Sequence, residues 1–324
     1  MCQRPQMPAA VLKRTQRAGR GGGVWLDTLP PMADAGGARV STITVLTHQY
    51  PEETSEAIRR LVEVSRDAGV TVRLSEGEAE KHGLSPSEGL AVCDDPAEDT
   101  DLAIVLGGDG TILTALRMFA GRRVPVFAIN YGAIGFLSTI DHGGLEDGLA
   151  RAFAGDFELL AMPALTTDLG AEDGGRRIGV NDISFHRRAN ARVAELEYMV
   201  GGEQLGHVRC DGLVVSTPVG STGYNLANGG PVLAWGVEGY VVSFIAPHTL
   251  TARALVVAPG DTLTVENTSD HDEVSVSTDG RTVGDLGPRA RLDVCFSDEQ
   301  VLLAQVPGST FYHRFREKFG RLAN

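Results

Sequence analysis

The chain has 324 residues, of which 42% are hydrophobic, and carries a formal net charge of −13 at pH 7. That length accommodates two ordinary domains around a sizeable buried core. The acidic balance argues against a general nucleic-acid or anionic-membrane binder, because both need an extended basic surface, and no apolar run approaches the ~20 residues of a membrane helix. Residues 1–26 carry Arg4, Lys13, Arg14, Arg17 and Arg20 with no acidic residue, and Gly21 to Gly23 and Pro30-Pro31 follow. Residues 1–40 therefore read as a disordered tail or the product of an early start codon, with Met32 an alternative start; neither an amphipathic stripe nor a secretory apolar segment is evident.

From residue 41 the pattern alternates between strand and helix. "VSTITVLT" (40–47) is β-branched, and "EETSEAIRRLVEVSRDAG" (52–69) places Ile58, Leu61 and Val62 on one helical face before stopping at Gly69. "VTVRL" (70–74) is a strand, "DLAIVL" (101–106) a short continuous apolar run, "TILTALRMFA" (111–120) a helix and "VPVFAIN" (124–130) the next buried strand. Such runs separated by helices predict an α/β unit over 41–160 with a parallel sheet covered on both faces. Beyond it, "VAELEYMV" (193–200), "DGLVVST" (211–217), "YVVSFIA" (240–246), "DTLTVE" (261–266), "EVSVST" (273–278) and "RLDVCF" (291–296) predict a mostly β domain over 161–308. The last stretch, 309–324, has Phe311, Phe315 and Phe319 at helical spacing and reads as a helix packing back on the body.

Cys2, Cys93, Cys210 and Cys295 are scattered and form no C-x-x-C pair or metal-ligand spacing, which suits reduced thiols in a cytoplasmic protein. His186, His207, His248 and His313 have no metallohydrolase spacing, and "STPVGST" (216–222) is not a nucleophile elbow. No metal-ligand set is predicted.

The chemistry concentrates in "IVLGGDGTIL" (104–113), where a buried strand meets a helix through a glycine turn. Such turns usually bind phosphate through backbone N–H groups and the helix N-terminus, yet this one carries a carboxylate, Asp109, and no neighbouring lysine. A plain turn needs one or two glycines, whereas Gly107, Gly108 and Gly110 strip both sides of Asp109, as a closely approaching ligand requires. The spacing matches neither a dinucleotide fingerprint nor a Walker A loop. A carboxylate here would repel phosphate but suits a hydroxyl about to attack one, with Asp109 accepting its proton.

"GGDGT" (107–111), "NYGAIGFL" (130–137), "ND" (181–182), "DGLVVSTPVGSTGYNLANGGPVL" (211–233) and "APHTL" (246–250), in this order, resemble the NAD kinase family over residues 41–320. The resemblance implies transfer of the γ-phosphate of ATP, with Mg²⁺, to the 2′-hydroxyl of the adenosine ribose of NAD, with Asp109 as base. It further implies NAD contacts at Asp109, Gly110, Asn181, Asp182, Arg192, Arg209, Asp211, Thr222, Gly223, Tyr224, Asn225, Ala227 and Arg281, and a homo-oligomer, dimer or tetramer. The bland alternative for Arg192, Arg209 and Arg281 is solvated surface charge, and for Tyr224 a core aromatic. Asp182 departs from the family's more usual Glu, Val219 and Ala227 each lack a hydroxyl found in the commoner motif, and Gly223 replaces a common Ala. Two rival functions are a kinase of another hydroxyl substrate, such as a lipid, sharing the GGDGT loop, and a non-catalytic NAD-binding regulator.

Overall fold

The structure is a computed structural model that describes residues 40–320 other than 133, 134, 171–174 and 190, so the expected N-terminal tail lies outside the described residues but for Val40. β1 (Thr42–Thr47) leads through α1 (Ser55–Ala68) to β2 (Thr71–Leu74), and α2 (Glu76–His82) leads to β3 (Leu90–Val92). β4 (Leu102–Gly107), α3 (Asp109–Met118), β5 (Pro125–Asn130), the two-residue β6 (Ile140–Asp141) and α4 (Leu145–Ala154) complete this half. α1 buries Ala57, Ile58, Leu61 and Ser65 and ends at Gly69, whose φ of 71° supplies the left-handed cap that a side chain would strain.

The strands pair in parallel in the order β3-β2-β1-β4-β5. Every residue of β4 and β5 is buried because helices cover both faces. Ala103 and Val105 pack in the cluster of Ile112 and Leu116 from α3, whereas Leu102, Ile104 and Leu106 pack with Ile58, Leu61 and Leu149 from α1 and α4. This two-residue alternation along β4 makes the short apolar run a two-faced buried strand. Strand order reverses between β1 and β4, and open α/β sheets bind ligands in the crevice beyond such a point.

The second half is β-rich: β7 (Glu158–Asp168), β8 (Arg176–Gly179), β9 (Asp182–Arg187), β10 (Ala194–Val200), β11 (Glu203–Cys210) and β12 (Gly212–Ser216) come first. After the short α5 (Tyr224–Ala227) follow β13 (Tyr240–Ile245), β14 (Leu255–Val257), β15 (Leu263–Asn267), β16 (Val274–Thr278), β17 (Arg281–Leu286) and β18 (Arg291–Gln305). An antiparallel sheet in the order β14-β13-β12-β9-β16-β17 supplies Phe185, Leu213, Val215, Tyr240 and Val242 to a core shared with Leu196, Val208, Val265 and Val294 of the other sheet. Two apolar faces thus close on each other as a sandwich.

β18 joins the two halves. Its first part pairs antiparallel with β15, Val294 to Gln305 pair antiparallel with β7 across one irregularity, and Leu302 and Leu303 pair parallel with Pro125 and Val126 of β5. One sheet therefore runs from β3 through β5 and β18 to β11. The chain then turns into α6 (Phe311–Phe319), capped by the Thr310 hydroxyl accepting from the His313 amide. Phe311, Phe315 and Phe319 gather around Phe136, so α6 packs back on the α/β half as expected. Among the described residues no helix is long and apolar enough to cross a membrane.

Candidate active site

The glycine loop after β4 enters α3 at once: Gly108 is the N-cap in extended geometry and Asp109 is the first helical residue, two positions earlier than the sequence pattern suggests. The Asp109 carboxylate is held by two backbone donors, with Phe136 N–H giving 3.0 Å to Oδ2 and Leu137 N–H giving 3.1 Å to Oδ1. A side chain at Gly135 would put its Cβ 2.1 Å from Asp109 Oδ1, which explains the glycine there. Gly132 and Gly108 approach so closely that a Cβ on Gly132 would lie 3.3 Å from Gly108 Cα, whereas one on Gly110 would meet open space. The loop is thus packed underneath and open above Gly110. The Asp109 side chain remains about one-third exposed, and Lys318 Nζ from α6 lies 3.9 Å from its Oδ2.

A second carboxylate, this one buried, ties the helix to the Asn181-Asp182 pair. Asp279, on the β16–β17 turn, accepts from Asn181 N–H at 2.6 Å and Asp182 N–H at 3.1 Å through Oδ1, and from Val180 N–H at 3.1 Å through Oδ2. Its Oδ2 also pairs with Arg117 of α3, and the Asp279 side chain is wholly buried. Asp279 and Gly280 have φ of 45° and 76°, the left-handed pair of a two-residue hairpin turn, which aims the carboxylate inward. Asp182 is itself buried, and burial followed by the Asp279 charge pushes its carboxyl up to about 7. Asn181 Oδ1 is buried without a hydrogen-bond partner.

Tyr224 opens α5 and is exposed, its ring stacked on His186 at 5.7 Å between centroids. Burial, then the charges of Asp182 and Asp211, raises the Tyr224 phenol, so these groups share one neighbourhood. Burial lowers the His186 imidazole. Asn225 is fully buried and donates through Nδ2 to the carbonyls of Ser221 and Pro231, at 2.9 Å each. Thr222 donates to the Val219 carbonyl, while Gly223 and Ala227 are exposed along the same turn. Tyr224 is therefore not the core aromatic of the bland alternative.

The arginines divide. Arg281 begins β17 and donates from Nη2 to Thr114 Oγ1 on α3 at 2.8 Å, which brings it to the Asp109 helix. Arg192 and Arg209 are exposed and border a different cavity of ≈ 390 Å³ together with Glu195, Ser269 and Asp272. Arg209 pairs with Glu195 at 3.2 Å, and Asp211 accepts from Arg187 Nε at 2.7 Å. Within one chain, Asp109, Gly110 and Arg281 meet on α3, Asn181 and Asp182 join them through Asp279 and Arg117, and Arg192 and Arg209 stand apart. Sequence reasoning identifies neither Asp279 nor Lys318 as a site residue. An acidic residue before Gly in a hairpin turn carries no signal of what its carboxylate binds.

A carboxylate seated at a helix N-terminus beyond the switch point of a parallel sheet, beside a β-sandwich with inward polar groups, suits a phosphotransferase acting on a hydroxyl. Residues 42–157 match the ATP-NAD kinase N-terminal domain and residues 180–306 the ATP-NAD kinase C-terminal domain, and the chain belongs to this family. An NAD kinase of Gemmatimonas aurantiaca is 36% identical over 225 residues, covering 68% of this chain and 77% of that one. An NAD kinase of Lachnoclostridium phytofermentans is 28% identical over 284 residues, 85% of this chain and 98% of that one. In three dimensions the chain resembles yeast NADH kinase complexed with NADH, with a TM-score of 0.80 at 24% identity over 88% of this chain and 89% of that one. It also resembles an NAD kinase from Archaeoglobus fulgidus in complex with ATP, with a TM-score of 0.67 at 25% identity over 86% and 97%. The two-domain match supports the NAD kinase reading over the lipid-kinase and regulator alternatives.

Proposed function

We propose that this chain transfers the γ-phosphoryl group of ATP to the 2′-hydroxyl of the adenosine ribose of NAD, giving NADP and ADP. The observation that carries the assignment to the site is Asp109, held by the amides of Phe136 and Leu137 with its carboxylate still open to solvent. An ordered carboxylate there accepts the hydroxyl proton as the ribose oxygen attacks the γ-phosphorus and the bridging bond to ADP breaks. The remaining NAD contacts are Gly110, Asn181, Asp182, Asp211, Thr222, Gly223, Tyr224, Asn225, Ala227 and Arg281, while Arg192 and Arg209, which stand apart within one chain, contact the NAD of a neighbouring subunit in the homo-oligomer. Mg²⁺ belongs to the substrate, bound to the ATP phosphates; among the described residues no group of three or more His, Cys, Asp or Glu side chains is placed to hold a metal ion.

The working division is an α/β unit over 41–160, a β-rich NAD-binding unit over 161–308 and a terminal helix. The enzyme works as a homo-oligomer in the cytoplasm. Exposed Leu255 and Val256 on the edge strand β14 and exposed Leu250 beside it support a covered edge, and free thiols at Cys93 and Cys210 support a reducing compartment. The purified protein given NAD, ATP and Mg²⁺ should yield product that an NADP-specific dehydrogenase reduces. No NADP under those conditions would overturn the reading.

A further inference from the structure

The GGDGT loop has no cation of its own, although a phosphoryl group in transfer carries negative charge on its equatorial oxygens and needs one. α6 brings one across the fold. Lys318 Nζ stands 3.9 Å from Asp109 Oδ2, inside ion-pair range but beyond a direct hydrogen bond. The neighbouring arginines are engaged elsewhere: Arg117 with Asp279, Arg281 with Thr114, and Arg314 with the carbonyls of Phe136 and Ser138. Resting on the phosphotransferase reading above, we propose that Lys318 is a catalytic residue that binds an oxygen of the γ-phosphoryl group as it passes to the hydroxyl held by Asp109.

The reach fits. A hydroxyl hydrogen-bonded to Asp109 lies about 3 Å from the carboxylate, and an attacked phosphorus lies about 3–3.5 Å beyond it. The phosphoryl oxygens therefore fall within the sweep of an ammonium that already sits beside that carboxylate. The same ammonium lies 5.0 Å from the centroid of Phe136, the residue whose amide holds Asp109 Oδ2. Lys318 follows Arg314 by one helical turn, and both face the 136–138 segment while Phe311, Phe315 and Phe319 clamp Phe136. The helix is therefore seated by apolar contacts, which leaves its last-turn lysine available for charge. In the step itself the ribose oxygen forms the new bond to phosphorus, its proton passes to Asp109, and ADP leaves with the electron pair of the broken bond. Lys318 stays protonated throughout and offsets the charge on the group in flight.

The test compares wild type, Lys318→Met and Lys318→Arg in the full chain with NAD and MgATP. The expected result is a kcat lower by about 10²–10³-fold in Lys318→Met, the scale for removing one donor from a transition-state oxyanion site. KM for NAD and the thermal midpoint should stay near wild type, and Lys318→Arg should recover at least about ten-fold of the loss, because it restores the charge. An active wild type with Lys318→Met within about three-fold of its kcat would overturn the proposal and leave the phosphotransferase reading intact. A loss that arrives with a lowered thermal midpoint and is not recovered by arginine would also overturn it, reducing Lys318 to a packing role. A wild type that makes no NADP would remove the reading on which the proposal rests.

Discussion

The carboxylate of Asp279, on a turn between two β-strands, binds the guanidinium of Arg117 on α3, 162 positions earlier in the chain. The same carboxylate collects the amides of Val180, Asn181 and Asp182, so one side chain locks α3 to the polar pair of the β half. Asp279→Asn should be strongly destabilising, because an amide nitrogen would face donors and leave a mostly buried arginine without its counter-charge. Breaking a buried pair in this way costs about 3–5 kcal/mol. Urea unfolding reads it, and a loss below about 1 kcal/mol would show that the clamp is dispensable.

Asp109→Asn should keep the fold and much of the NAD affinity while lowering turnover by about two to four orders of magnitude, the usual scale for a positioned acid-base group. Steady-state kinetics with NADP detection decides this. Turnover within a few-fold of wild type would remove Asp109 from the mechanism.

Gly135→Ala tests the seat of that carboxylate rather than its chemistry. The added Cβ would meet the movable Asp109 side chain at 2.1 Å, so the fold can accommodate it only by displacing the carboxylate from the Phe136 and Leu137 amides. Thermal stability should change little while kcat falls at least about ten-fold, since misplacing a reacting group by an ångström costs up to about 10². Unchanged kcat would mean that the base does not need this seat.

Asp182 gives the protein a pH signature. Its carboxyl is pushed from the ordinary 3.8 up to about 7, first by burial and then by the charge of Asp279. Between these values the unfolded chain is ionised at this position while the folded chain keeps the proton. Stability from this group is therefore full below the lower value, falls as pH rises toward the upper one, and stays reduced above it. At about 1.4 kcal/mol per unit the reduction amounts to a few kcal/mol. Asp182→Asn should match wild type in thermal midpoint at low pH and exceed it above neutrality; a constant offset across pH would contradict the assignment.

The proposed homo-oligomer predicts complementation. If Asp211 or Tyr224 serves a neighbouring subunit's site, mixing Asp109→Asn chains with Asp211→Ala chains should restore part of the turnover that each lacks alone. Dilution should then dissociate the enzyme, and NAD should oppose it, because a bridging ligand binds only the assembled form. A fully active monomer by sedimentation, or no recovery in demonstrably mixed oligomers, would overturn shared sites.

The α/β half was legible in the chain itself because its determinants are local. Buried runs such as 101–106 and the Ile58–Leu61 stripe of α1 specify strand and helix within a few residues, and the glycines around Asp109 mark a ligand loop without any partner in view. The β half was legible only as strands. The run at 291–296 reads as ending there, yet β18 continues to Gln305, because 300–305 gain their pairing from β7 and β5, more than a hundred residues away in sequence. α2 and α4 escaped notice for a related reason: each is only two to three turns long, and such helices draw most of their stability from tertiary packing. The site shows the same division. Residue type and spacing marked Asp109, and the family resemblance added Asn181 and Asp182, but only the folded chain could place Asp279 against that pair and Lys318 beside Asp109. Side-chain charge pairs across 162 and 209 positions leave no periodic trace in a sequence; they exist because the β half and the phenylalanine cluster of α6 bring later segments of the chain onto the helix that begins at Asp109.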